Sequence, residues 1–242
     1  MRVNADFGHR VVVKPEDHVW VPSPAAGVKR MMLDRVGNEV ARATSLVRYE
    51  PNSEFPPHVH GGGEEILVLE GAFGDEHGLY PSGTYIRNPI GSSHSPKVGP
   101  DGATLFVKLH QFDTDDRAQK VIDTHTGHWR PGLVEGLSVL PLHEFASPRG
   151  AEHVALVRWA PNTRFSEHRH FGGEEILVLE GEFCDEHGVY PVGSWIRSPH
   201  QSRHQPFTAQ QGALIWVKTG HLISHASQLW SEKLWGQSKG TE

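Results

Sequence analysis

The feature that most constrains the fold is a long internal repeat. Residues 48–109 align without a gap to residues 158–219, and 34 of the 62 aligned positions are identical. The offset between the copies is 110 residues (158 − 48), which is a full domain rather than a small solenoid unit that depends on its neighbours. The sequence therefore predicts two similar domains with these limits: first domain 1–112, linker 113–131, second domain 132–225 and C-terminal tail 226–242.

Each copy of the repeat has the pattern of short strands joined by tight turns. Residues 65–70 form an apolar run that ends at Gly71, and the turn sequence Tyr-Pro-Ser-Gly at 80–83 precedes the next run. The second copy repeats both features, and neither copy contains a long helical pattern. This arrangement is typical of a β-sandwich or β-barrel, so we predict an all-β protein.

The composition restricts the partners and the compartment. With 23 basic and 29 acidic residues the net charge is −6, which disfavours nucleic acid or an anionic membrane surface as the main partner. The single cysteine, Cys184, excludes an intramolecular disulfide framework. We find no signal-peptide pattern and no apolar stretch of membrane-spanning length. We therefore expect a cytoplasmic protein with a small-molecule partner.

The tail after the second copy carries a separate apolar pattern. Leu229, Trp230, Leu234 and Trp235 have the spacing of a short helix. We predict that this helix packs onto a barrel or onto a second subunit. A homodimer is thus one of the arrangements left open.

Histidine and glutamate side chains recur at one fixed spacing in both copies. In the first copy two histidines are separated by one residue, so period-two alternation places them on the same face of a strand. A glycine-rich bend then leads to a glutamate, and a third histidine follows on a later strand. Imidazole and carboxylate ligands without a thiolate suit Zn, Fe, Mn, Ni or Cu. We predict about two divalent ions per chain, bound by two ligand sets: His58, His60, Glu64 and His94, then His168, His170, Glu174 and His204.

These residues resemble a known family. The pattern His-x-His-x(3)-Glu-x(6)-Gly at 58–71 and 168–181, followed by Pro-x-Gly and a later His, resembles the two cupin motifs. The run Gly-Gly-Glu-Glu-Ile-Leu-Val-Leu-Glu-Gly with Asp-Glu-x-Gly-x-Tyr-Pro-x-Gly is similar to the cupin-like domain of the anti-sigma factor ChrR. The resemblance implies two tandem cupin (double-stranded β-helix, jelly-roll) barrels. It also implies that three histidines and one glutamate in each barrel bind one metal ion, with zinc favoured.

Two classes of function follow from this resemblance. A ChrR-like protein would be a sensor or regulatory module of an oxidative (singlet oxygen) stress response, with an oxygen species or small ligand at the metal. The alternative is a metal-dependent dioxygenase that resembles quercetinase or the β-diketone-cleaving cupins. The sequence lacks the N-terminal His/Cys zinc motif of the anti-sigma factor, which weakens the expectation of direct sigma-factor binding. No catalytic residue and no organic cofactor site can be assigned.

Residues beside the ligands carry further expectations. Alternation places Glu65 and Glu175 on the opposite strand face from the ligands, where we predict a structural role. Arg87 and Arg197 would either orient an anionic substrate or pair with a buried acid, and Cys184 would be a packed thiol. Lys108 and Lys218 are expected at a strand edge or on the surface. If certain aligned pairs line the pockets, the second pocket should be bulkier: Tyr85 and Trp195, Lys97 and Phe207, Phe106 and Trp216.

Overall fold

The computed structural model describes residues 1–148 and 150–222, so the tail predicted at 226–242 lies outside the described residues. These residues form β-strands and one short 3₁₀ helix, Pro15–Asp17, which confirms the predicted all-β class. No described helix has the length and apolar character needed to cross a membrane. The strands before the middle of the chain are β1 (Arg2–Val3), β2 (Val11–Val13), β3 (Val21–Pro22), β4 (Val28–Gly37), β5 (Ala41–Tyr49), β6 (His58–Val59), β7 (Glu64–Asp75), β8 (Gly78–Pro81), β9 (Thr84–Asn88), β10 (Ser93–His94), β11 (Lys97–Leu109) and β12 (Lys120–Asp123). They are followed by β13 (Arg130–Pro131), β14 (Leu137–Ser147), β15 (Gly150–Trp159), β16 (His168–Arg169), β17 (Glu174–Asp185), β18 (Gly188–Pro191), β19 (Trp195–Ser198), β20 (Arg203–His204) and β21 (Phe207–Thr219).

The chain forms two compact units. The first contains residues 1–5 and 18–127, and its nine-stranded sheet has the order β1-β4-β5-β11-β7-β9-β12, with β3 on β4 and β8 on β7. A separate two-stranded sheet joins β6 to β10. Strand β12 lies within the segment that the repeat predicts as a linker, and it pairs with β9 through Val121 and Ile86.

The second unit repeats this topology. It contains residues 6–17 and the described chain from His128 onward. Its eight-stranded sheet has the order β13-β14-β15-β21-β17-β19-β2, with β18 on β17, and its two-stranded sheet joins β16 to β20. Strand β2 comes from the N-terminal segment, outside the repeat, and pairs with β19 through Val12 and Ile196.

Alternation along the strands separates an apolar core from the opposite sheet face. In the first unit Ile66 and Val68 of β7 pack in one cluster with Leu105 and Val107 of β11. Glu64 lies two residues before Ile66, so its side chain shares this face. Residues that point inward therefore form an apolar floor beneath the first ligand set.

Lys108 and Lys218, which align in the two copies of the repeat, are not placed as the sequence predicted. Lys108 and Lys218 are fully buried rather than at a strand edge or on the surface. Neither lysine is at a sheet edge, because β11 lies between β5 and β7 and β21 lies between β15 and β17. A buried ammonium needs partners. Lys108 Nζ donates to Thr44 Oγ1 at 2.9 Å, and Lys218 Nζ lies 2.9 Å from Glu152 Oε1.

The glycine that ends the apolar run of β7 cannot be replaced without strain. Gly71 has φ of 68°, and a Cβ there would lie 2.0 Å from the carbonyl oxygen of Gly102. We expect Gly71→Ala to destabilise the protein by roughly 2 kcal/mol or more, since both the backbone conformation and the contact are unfavourable. Gly99→Ala is the matched control, because nothing lies within 4 Å of its Cβ. Urea unfolding with equal midpoints for the two variants would contradict this interpretation.

Candidate metal centres

An antiparallel pair of short strands, β6 and β10, and the start of the long strand β7 assemble the first ligand set. His58 on β6 pairs directly with His94 on β10, and His60 follows β6. A bend at Gly63, with φ of 79°, leads into β7, which begins at Glu64. The four ligand atoms all lie within 4.8 Å of one another.

The side chains of this first cluster approach one another closely. Glu64 Oε2 lies 3.1 Å from His60 Nε2 and 3.4 Å from His94 Nε2. The ring of His58 lies 5.1 Å from that of His60 and 4.8 Å from that of His94, measured between centroids. The structure thus brings the four residues predicted from the sequence into one cluster.

Hydrogen bonds at the outer nitrogens orient the three rings. His58 Nδ1 lies 3.1 Å from the Pro56 carbonyl oxygen. His60 Nδ1 lies 2.9 Å from Ser92 Oγ, and His94 Nδ1 lies 3.3 Å from Asp75 Oδ2. Contacts of this kind fix the tautomer and aim the opposite nitrogen, Nε2, at the common centre.

The second ligand set has the same construction. His168 on β16 pairs with His204 on β20, and Glu174 begins β17. Glu174 Oε2 lies 3.5 Å from both His170 Nε2 and His204 Nε2. All four ligand atoms again lie within 4.8 Å of one another.

The outer contacts of the second set are partly different. His168 Nδ1 lies 3.0 Å from the Ser166 carbonyl oxygen, and His204 Nδ1 lies 3.5 Å from Asp185 Oδ2. Arg10 donates to the same Asp185 Oδ2 at 2.7 Å, and Tyr190 donates to Oδ1 at 2.7 Å. An arginine from outside the repeat therefore takes part in the second centre.

Buried atoms without partners show that a cation fits both clusters. His60 Nε2, His94 Nε2, His170 Nε2 and His204 Nε2 are buried and make no hydrogen bond among the described residues. Glu174 Oε2 is also buried and makes no hydrogen bond among the described residues. Several convergent polar atoms without partners are costly in a protein interior, and a divalent ion would satisfy them together.

The pKa values of the buried groups reflect this environment. Burial is the largest influence on both carboxylates and raises the pKa of Glu174. For Glu64 the contacts with His60, His94 and Asn88 outweigh burial, so its pKa is lowered. Burial lowers the pKa of His170 to about 3, which keeps its imidazole neutral and available as a ligand.

Each centre lies above apolar side chains and has one accessible ligand. His58 and His168 are partly exposed, while the other six predicted ligands are buried. Phe55 and Phe165 lie edge-on against these two histidines, with ring centroids 5.2 Å and 4.9 Å away. His58 and His168 are therefore the ligands with the greatest exposure to solvent in the two sets.

The aligned pairs predicted to make the second pocket bulkier do not line the ligand face. Ile86 and Ile196 belong to the inward clusters, so Tyr85 and Trp195 point to the opposite face. Phe106 and Trp216 alternate with inward residues in the same way, and Lys97 is exposed and lies 3.6 Å from Glu54. One inward difference that the sequence did not suggest is Tyr49, which aligns with Trp159.

The remaining residues beside the ligands have structural contacts. Glu65 accepts a hydrogen bond from Tyr85 at 2.5 Å, on the face opposite the ligands as predicted. Arg87 pairs with buried acids, Glu65 and Asp116, which settles its two alternatives in favour of pairing. Arg197 donates to the Asp6 carbonyl oxygen at 2.8 Å. The predicted packed thiol, Cys184, is buried.

Comparisons with solved structures agree with this architecture. A candidate dioxygenase from Nostoc punctiforme has a TM-score of 0.71 at 17% identity, with 90% of this chain and 85% of that chain covered. Oxalate decarboxylase from Bacillus subtilis, as a variant, has a TM-score of 0.59 at 12% identity, covering 94% and 84%. A bacterial pirin from Escherichia coli in complex with nickel(II) has a TM-score of 0.60 at 12% identity, covering 87% and 99%. At these identities the likeness shows the fold alone.

Comparisons of sequence identify the family. No curated protein matches the chain. The family model of the ChrR cupin-like domain matches twice, over residues 8–113 and 117–223, so each half matches separately. The two matches together span most of the chain, and the fold is that of two tandem cupin domains. The chain therefore belongs to the ChrR cupin-like family.

Proposed function

We propose that this protein binds one divalent metal ion in each cupin domain. The observation that carries the proposal is the set of buried, unpartnered Nε2 atoms that converge in both halves. His58, His60, Glu64 and His94 would hold the first ion, and His168, His170, Glu174 and His204 the second. Zinc is the ion we favour, with iron, manganese, nickel and copper as alternatives, because three imidazoles and a carboxylate suit all of them.

We further propose that the metal centres serve a sensor or regulatory module of an oxidative stress response. Membership of the ChrR cupin-like family over both halves supports this role. The partly exposed His58 and His168 would allow a small oxygen species to reach the ligands. Oxidation or ligand loss at a centre would then change an interaction with another protein.

The second candidate is a metal-dependent dioxygenase. It is supported by the structural similarity to the candidate dioxygenase from Nostoc punctiforme. A redox-active ion would supply oxygen activation at such a centre. The four ligands of a centre would hold the ion, and Asp75 or Asp185 would orient the last histidine of the set. The apolar side chains beneath the ligands would exclude water.

The compartment belongs to the same proposal. The one cysteine, Cys184, is buried and has a pKa raised by burial. Such a thiol has no role in a disulfide, which fits a reducing cytoplasm. We place the protein there, with a small molecule or an oxygen species as its ligand.

Reconstitution of the metal-free protein separates the two functions. The zinc and iron(II) forms would be compared for oxygen uptake with β-diketones and flavonols, and for zinc release on exposure to singlet oxygen or peroxide. The sensor predicts oxidant-dependent release of zinc and no uptake by either form. Uptake by the iron form that is lost in Glu64→Ala or Glu174→Ala would establish the enzyme instead.

A further inference from the structure

The strand residue paired with each glutamate ligand differs between the two halves. Asn88 pairs with Glu64 in the register of β7 and β9, and Ser198 pairs with Glu174 in the register of β17 and β19. Asn88 Nδ2 donates to Glu64 Oε2 at 3.0 Å. Glu174 Oε2 accepts no hydrogen bond among the described residues. The shorter serine thus gives Glu174 Oε2 no hydrogen bond of the kind that Asn88 gives Glu64 Oε2.

A serine at a second aligned position shows the same difference. Ser92 Oγ lies 2.9 Å from His60 Nδ1 and helps to fix that ring. In the second half the aligned Ser202 Oγ is buried and has no partner among the described residues. The second ring, His170, therefore lacks the hydroxyl contact that orients the first.

The contacts of the aspartate that faces the last histidine of each set also differ between the two halves. Asp75 pairs with no arginine or lysine in the described part of the chain, and its Oδ2 faces His94 Nδ1. Asp185 Oδ2 accepts from Arg10 NH2 at 2.7 Å and lies farther, 3.5 Å, from His204 Nδ1. Arg10 competes for the oxygen that would otherwise strengthen the histidine as a ligand.

We infer that the two metal centres are unequal, with a tightly held ion in the first domain and an exchangeable ion in the second. Asn88 and Ser92 hold Glu64 and His60 in place before the ion arrives, whereas Glu174 and His170 lack the corresponding hydrogen bonds and are held less firmly. This inference rests on the proposed function and assigns the responsive role to the second centre. Asn88 and Ser198 are the positioning residues that set the difference.

Two single-centre variants test the inference directly. His170→Ala leaves the first centre and His60→Ala leaves the second, and zinc affinity is measured for each by competition with a chromophoric chelator. Loss of one outer hydrogen bond to a metal ligand lowers affinity about 10- to 100-fold. We therefore expect zinc to bind His170→Ala at least about tenfold more tightly than His60→Ala. Equal or reversed affinities would overturn the inference and leave the proposed function intact.

Exchange of the positioning residues tests the cause. Asn88→Ser in the His170→Ala background should lower zinc affinity about tenfold or more, and Ser198→Asn in the His60→Ala background should raise it. The gain in the second variant cannot arise from misfolding. Asn38→Ser, at an exposed position outside both centres, is the matched control and should leave the zinc affinity unchanged. Unchanged affinity in both exchange variants would overturn the inference, and no zinc binding to either single-centre variant would overturn the proposed function with it.

Discussion

His60→Ala is expected to reduce the metal content from two ions per chain to one. His60 Nε2 is buried 3.1 Å from Glu64 Oε2, so its removal takes away one of the four ligands from the interior of the cluster. The second centre is built from other residues and should stay loaded. His170→Ala should have the reciprocal effect, and the double variant should bind no metal. Elemental analysis of each dialysed variant measures this result.

Metal loss should also lower stability. An ion that binds only the folded state at about a thousandfold excess over its Kd stabilises by about 4 kcal/mol. His77→Ala is the matched control, because His77 lies in a turn with its side chain 62% exposed. Loss of both ions from His60→Ala without unfolding, or retention of both, would refute the assignment of two independent centres.

Phe183→Ala should destabilise the second domain by about 3–5 kcal/mol, which is the usual cost of removing a fully buried aromatic side chain. Phe183 is 1% exposed, and its ring centroid lies 5.5 Å from that of Trp159 and 6.4 Å from that of His204. The cavity would therefore form directly behind a metal ligand. We expect weaker zinc binding at the second centre as well as a lower urea midpoint.

The matched control for this substitution is Phe171→Ala, at a position 70% exposed. Surface substitutions of this kind usually change stability by less than about 0.5 kcal/mol. Equal unfolding midpoints for Phe183→Ala and Phe171→Ala would mean that the core of the second domain is not packed as described.

The ligands could be predicted from the sequence because their spacing carries the geometry. Two histidines at i and i+2 share a strand face, and a glycine bend returns the chain to the glutamate. The fold followed from the repeat and the turn signals. The place of Lys108 could not be predicted, because the sequence gives neither the strand order that puts β11 away from a sheet edge nor the contact of Lys108 Nζ with Thr44 Oγ1.

Contacts between distant parts of the chain could not be predicted from the sequence either. Arg10 lies 175 positions from Asp185, outside the repeat, and no periodic pattern connects the two. Asn88 and Asp75 did leave a signal that could have been used. Asp75 is identical in both copies, whereas Asn88 aligns with Ser198, so a comparison of the copies distinguishes a shared contact from a divergent one.

The metal content of the wild-type protein tests whether the chain holds two complete metal centres. Metal-free protein would be dialysed against zinc, freed of excess ion, and measured by elemental analysis together with native mass spectrometry. We predict two zinc ions per chain, released in two steps as chelator is added, with the second centre emptying first. A chain that retains no zinc, or only one ion, under these conditions would contradict the account of two complete cupin metal centres.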